Sequence, residues 1–148
     1  MQGRTPYRLS APCRGVVVWA LLREIGVRGV VERIRRHNDM AAYVARRARE
    51  HPNLELLQEP TLSICCFRYV TPEVSDLDLL NQRLHRRLIR ENRNMPSTTR
   101  VNGHLALRPC FVGARSEMSH ARALVTDVLR IGEEVARSMP PLAAVSLG

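Results

Sequence analysis

Apolar residues in this chain recur first at spacings of three and four, then at two, then at three and four again. Over residues 13–25 they wrap most of the way round a helix, with Val16, Val17, Trp19, Ala20 and Leu22 leaving little polar face. A helix that is apolar all round needs cover on several sides. Gly26 ends it, because glycine accepts the left-handed conformation that closes helices. A longer helix is predicted over 27–50. Val27, Val30, Val31, Ile34, Ala41, Val44, Ala45 and Ala48 form its apolar stripe, and Arg33, Arg35, Arg36, Arg46, Arg47 and Arg49 lie mostly elsewhere on the cylinder. Pro52 stops it.

The next stretch reads as strands. Residues 54–57 make a short one and 62–69 a better one. In the second, Ile64 and Cys66 fall on one face and Cys65 and Phe67 on the other. Asp76 is placed to cap a helix that runs to about Asn92, striped by Leu77, Leu80, Leu84 and Leu88. After a turn over 94–96, strands at 97–101 and 104–112 flank Asn102-Gly103, a strong hairpin signal. Pro109 lacks an amide donor, so the second of these strands needs an edge or a bulge there. The last helix, 117–138, carries Ala121, Leu124, Val125, Val128, Ile131 and Val135 and ends before Pro140-Pro141. The expected fold class is α+β, a small, mainly antiparallel sheet with helices on one face. The expected organisation is an irregular arm over 1–12, one domain over 13–138 and a loose tail over 139–148.

A length of 148 residues, 45% hydrophobic and 25% charged, is ordinary for a globular domain with a real core. The formal net charge of +9 suits nucleic acid, anionic lipid or an acidic protein, but the arginines are spread over the whole chain. The longest apolar run, 16–22, falls far below the roughly 20 residues of a membrane span. The N-terminus lacks the pattern of a secretion signal. A cytoplasmic protein with no membrane association is expected. Cys13, Cys65, Cys66 and Cys110 show no C-x-x-C spacing, which favours buried free thiols over disulfides or a metal. The five histidines have no zinc-ligand spacing, and no phosphate-binding glycine loop or nucleophile elbow is present.

Two groups of arginines invite a functional reading. Arg83, Arg86, Arg87, Arg90 and Arg93 share parts of one helix, as a phosphate-binding stripe would. The aromatic residues do not interleave with them, which argues against nucleic acid and for a solvated face. A basic module for nucleic acid or an acidic protein partner stays as the alternative function. Arg108 lies in a strand between Leu107 and Pro109. Buried unpaired, it would cost several kcal/mol. It therefore pairs internally with an Asp or Glu, snorkels to the sheet edge, or grips a substrate carboxylate as a bidentate fork.

Several stretches occur in a telling order. They are Val17-Val18-Trp19-Ala20-Leu21-Leu22-Arg23 followed by Gly26; Ile34-Arg35-Arg36-His37; Pro52-Asn53-Leu54-Glu55-Leu56-Leu57; and Cys66-Phe67-Arg68-Tyr69. Then come Thr99-Arg100-Val101-Asn102-Gly103, Leu107-Arg108-Pro109-Cys110 and Arg115-Ser116. Together they resemble the C-terminal part of the pyridoxal-phosphate-dependent (PLP-dependent) group II amino-acid decarboxylases, over about residues 13 to 138. The resemblance implies the small domain of the fold-type-I architecture, which closes over a site whose cofactor lysine belongs to a large domain, in dimers that share active sites. Arg108 falls on the family's Leu-Arg position, where arginine is implicated in holding the substrate carboxylate. All 23 Lys+Arg residues here are Arg. A guanidinium stays protonated and is a poor nucleophile, so no covalent attachment of pyridoxal phosphate to this chain alone is expected. The implied function is the small-domain fragment of a carboxy-lyase of amino-acid metabolism, inactive alone. Its implied partner is a PLP-binding large domain or a second copy of itself, and it meets an amino-acid substrate only in a complete enzyme.

Overall fold

A computed structural model describes residues 13–91 and 94–140. The arm expected over 1–12 and most of the tail expected over 139–148 lie outside them. The elements are α1 (Arg14–Glu50), β1 (Leu54–Thr61), β2 (Ile64–Tyr69), α2 (Leu77–Arg90), β3 (Ser97–Val101), β4 (His104–Arg108) and α3 (Met118–Arg137). α1 is the two predicted helices joined across a kink at Gly26, whose φ of 69° and ψ of 169° leave the helical region. A side chain there would be strained, which is why glycine marks the break.

The chain divides between Arg33 and Ile34 into two compact units. In the first, Val16, Val17, Val18 and Trp19 are all exposed, Val17 by 72% and Trp19 by 62%. The Arg23 guanidinium lies 5.9 Å from the Trp19 ring centroid, a cation–π contact within α1.

The second unit holds the sheet, in strand order β1-β2-β4-β3 with every neighbouring pair antiparallel. β2 and β3 therefore run parallel with β4 between them, and α2 makes the crossover, a split β-α-β arrangement. The register pairs Leu54 with Tyr69, Leu56 with Phe67, and Phe67 with Leu107. Strand alternation sends Leu54, Cys65, Phe67, Tyr69 and Leu107 to one face. There they form the core with Met40 and Val44 of α1, Leu80, Leu84 and Leu88 of α2, and Leu124, Val128 and Ile131 of α3. Met139 is buried with them. The stripes predicted for α2 and α3 are the ones that face the sheet; of the stripe predicted over 27–50, Ala41, Val44, Ala45 and Ala48 are buried, whereas Val27, Val31 and Ile34 are exposed.

Three details differ from expectation. β1 runs on to Thr61 through Pro60, with register irregularities between Leu56 and Gln58 and between Gln58 and Thr61. An edge strand with a bulge tolerates the missing proline donor. β4 stops at Arg108 instead of reaching residue 112, because Pro109 interrupts the ladder. Pairing resumes only as a bridge between Ile64 and Cys110, and the Phe111 N–H donates to the Ser63 carbonyl at 3.1 Å. All four cysteines are free, but only Cys65 and Cys66 are buried; Cys13 and Cys110 are exposed.

Asn81 secures the centre of the fold. The Tyr69 backbone, at the end of β2, bonds to this side chain of α2. The Tyr69 N–H donates to Asn81 Oδ1 at 2.9 Å, and Asn81 Nδ2 donates to the carbonyls of Tyr69 and Leu77, each at 2.8 Å. One turn earlier, Asp78 Oδ1 accepts the Leu105 N–H of β4 at 2.8 Å. The side chains of α2 thus serve backbone groups of both strands. The Tyr69 ring is fixed from the other side by Gly132 of α3, where an added Cβ would stand 2.4 Å from Tyr69 Cδ2.

Two outcomes follow. Asn81→Leu keeps the volume but leaves a buried N–H and C=O without partners, and should lower the unfolding free energy by about 3 kcal/mol in urea titrations. A loss within measurement error would mean that the amide is dispensable. Glycine to alanine inside a helix ordinarily stabilises by up to about 1 kcal/mol. Gly132→Ala should instead lower the melting temperature, since overpacking costs about 1–3 kcal/mol. A higher melting temperature would show that the ring contact yields freely.

Candidate functional site

The sheet face opposite the core follows from the same register. It carries Glu55 of β1, Cys66 and Arg68 of β2, Ala106 and Arg108 of β4, and Ser97 and Thr99 of β3. Two arginines stand on this face in similar sequence contexts, and the structure treats them oppositely.

Arg68 is only 7% exposed. Its Nε donates to Glu55 Oε2 at 2.7 Å, directly across the strand pair, and its Nη1 lies 3.9 Å from Asp78 Oδ1. This is the internal ion pair that burial of a strand arginine demands. Arg68 has the same kind of sequence context as Arg108, an arginine flanked by apolar neighbours (Phe67 and Tyr69).

Arg108 is exposed, and among the described residues no carboxylate lies within 4.0 Å of it. The internal ion pair considered for it does not form, because solvent already stabilises the charge. Its cross-strand partner is Ser97. Arg108 Nε donates to Ser97 Oγ at 3.1 Å, and Ser97 Oγ donates to the Arg108 carbonyl at 3.0 Å. Among the described residues neither Nη group has a partner. Extending the β2–β4 register puts Cys66 opposite Arg108. Burial pushes the Cys66 thiol up, and the Arg108 guanidinium opposes that shift. Burial, with Cys66 adding to it, pushes Cys65 up to about 12. Both are therefore neutral thiols at pH 7 and poor nucleophiles.

Two clefts flank the sheet. One of about 450 Å³ is lined by Arg68, Ser75, Asp76, Leu77, Asp78 and His104. The Leu105 N–H, followed by the Arg100 and Arg68 charges, holds the Asp78 carboxyl below the usual carboxylate range. The other cleft, about 500 Å³, includes Tyr69, Glu73, Arg130, Glu133 and Arg137 in its lining. Glu133 pairs with Arg137, and Arg130 with Glu91 and Glu134. Arg108 lines neither cleft.

The remaining candidates fall into structural roles. Arg83, Arg86 and Arg90 are exposed on α2, and Arg93 lies outside the described residues. Arg87 is engaged: its Nε donates to Glu91 Oε1 at 3.1 Å and its Nη2 pairs with Glu134, while Arg130 Nη2 donates to Glu91 Oε2 at 2.6 Å. This network staples α2 to α3. His37 and His85 each donate from Nε2 to a carbonyl, of Gly113 and Pro96 respectively, both at 2.9 Å. Nδ1 of His51 and of His120 accepts a backbone N–H, from Asn53 and Glu117. Among the described residues no group of His, Cys, Asp or Glu is placed to hold a metal ion, and no helix is long and apolar enough to cross a membrane.

No family model matches the chain. The aromatic-L-amino-acid decarboxylase of Bacillus atrophaeus is 24% identical over 145 residues, which is 95% of this chain and 30% of that protein. The same enzyme of Cavia porcellus is 28% identical over 125 residues, 80% of this chain and 25% of its own length. The Oryza sativa TDC solved with PLP superposes with a TM-score of 0.77 at 24% identity, over 83% of this chain and 27% of that one. The chain is similar to the C-terminal region of the group II PLP-dependent decarboxylases. Catharanthus roseus tryptophan decarboxylase, solved in complex with L-tryptophan, has a TM-score of 0.71 at 26% identity over 82% of this chain and 26% of its own. This decarboxylase-like chain spans less than a third of the length of the curated relatives it matches.

Asp78 gives the site a pH signature. A carboxyl whose folded pKa is depressed contributes stability that is present above its unfolded value, about 3.9, and is lost as pH falls through the folded value. Asp78→Asn keeps an acceptor for Leu105 but removes the charge. Its unfolding free energy should decline less steeply than that of the wild type below about pH 4. Parallel curves for the two proteins would assign the acid sensitivity to other groups.

Proposed function

We propose that this chain serves as the C-terminal small domain of a PLP-dependent amino-acid decarboxylase and works with a large domain that carries the cofactor lysine. The observation that carries the reading is a similarity to aromatic-L-amino-acid decarboxylases that runs through 95% of the chain. Covalent attachment of the cofactor needs an amine able to lose its proton, and the 148 residues contain no lysine. The residues present do not fit that attachment. In the complete enzyme the cofactor supplies the electron sink.

What this chain contributes is position and cover. Arg108 is exposed and, among the described residues, both its Nη groups are without a partner, the geometry that receives a carboxylate bidentately. Holding the carboxylate of an amino-acid substrate there would fix which bond is aligned for cleavage. The exposed apolar positions of α1 around Val17 and Trp19 offer the kind of surface that a second domain or a second copy covers.

Complementation tests this. The chain would be mixed with a lysine-bearing large-domain chain from an aromatic-L-amino-acid decarboxylase, and carbon dioxide release from aromatic amino acids measured. Gas should appear only in the mixture, and Arg108→Gln should reduce it about a hundredfold, the scale of a lost positioning contact. The absence of both a complex and gas evolution would count against the proposal.

A further inference from the structure

We infer that Ser97 is the positioning residue of Arg108 and sets the direction in which its guanidinium meets a carboxylate. This deepens the proposed function and rests on it. The hydroxyl of Ser97 is used twice. It accepts from Arg108 Nε at 3.1 Å and donates to the Arg108 carbonyl at 3.0 Å. The two residues are direct cross-strand partners between β3 and β4. Donation to the carbonyl orients the hydroxyl so that its lone pair faces Nε.

A free arginine has five donors on a flexible stem and adopts many rotamers. With Nε engaged by a neighbour anchored to the same ladder, the plane of the guanidinium is set. The Nε edge is occupied, so a carboxylate meets the Nη1–Nη2 edge. Ser97 therefore selects an end-on fork over the side-on mode that uses Nε. Arg68, one strand away, shows the contrasting case: its Nε is taken by a carboxylate, Glu55 Oε2 at 2.7 Å, and its charge is neutralised. Ser97 holds Nε with a neutral group, so Arg108 keeps its full charge for a ligand.

Arginine side-chain NMR on the full ¹⁵N-labelled chain separates the steps. The Arg108 Nε–Hε signal would be followed during titration with acetate at constant ionic strength, alongside water exchange of Hε. In the wild type, Arg108 should respond to acetate, and Hε should be protected. Ser97→Ala should weaken acetate binding and speed Hε exchange, each about fivefold, the scale of one lost hydrogen bond. Ser97→Thr, which keeps the hydroxyl, should restore both. Amide spectra report that each variant is folded.

Unchanged Hε exchange and acetate binding in Ser97→Ala would overturn the positioning role while leaving Arg108 as a carboxylate group. Serine-dependent Hε exchange with no response of Arg108 to acetate would overturn the assignment of a carboxylate to the fork, and with it the grip in the proposed function. A loss in Ser97→Ala that Ser97→Thr does not recover would overturn the role of the hydroxyl.

Discussion

A buried backbone amide or carbonyl must find a partner, and at the end of β2 that requirement is met by a side chain. Asn81 is fully buried and spends both donors and its acceptor on backbone groups. The position of α2 over the sheet follows from it, because Asn81 reaches Tyr69 only if its helix lies against the end of β2. Leu80, Leu84 and Leu88 then enter the core, and Asp78 arrives beside Leu105. Tyr69, held at its backbone by α2 and at its ring by α3, links the two helices through the strand. The ion network of Arg87, Glu91, Arg130 and Glu134 closes the same junction at the surface.

The parts of the fold readable from sequence are those written in periodicity. The stripes of α2 and α3, the cap at Asp76, the hairpin at Asn102-Gly103 and the break at Gly26 each rest on local chemistry, and each stands where that chemistry put it. Strand ends were less legible. Whether Pro60 or Pro109 ends a strand depends on which side of the ladder its missing donor faces, and that is set by pairing partners far away in the chain. Asn81 and Gly132 passed unnoticed for a related reason. Inside a helical pattern, asparagine and glycine look like tolerated imperfections until the strand they serve is in place.

The arginines make the same point for the site. Arg68 and Arg108 share a face and have similar flanks, yet one is neutralised and the other is not. The difference lies in the residue opposite each, Glu55 against one and Ser97 against the other. That pairing depends on register, which no local window contains. Arg87, grouped with its helical neighbours in sequence, turns out to be committed to Glu91 and Glu134, leaving Arg83, Arg86 and Arg90 as the exposed members on α2.

Trp19 is the single tryptophan of the chain and stands in the open on the first helix, well before the residues that build the core. Its indole therefore reports on that helix alone. The colour of its fluorescence is a built-in gauge of whether water or another surface lies against it, while circular dichroism follows the sheet and its helices. The molecule thus carries two optical labels, one for association and one for folding, without any dye being attached.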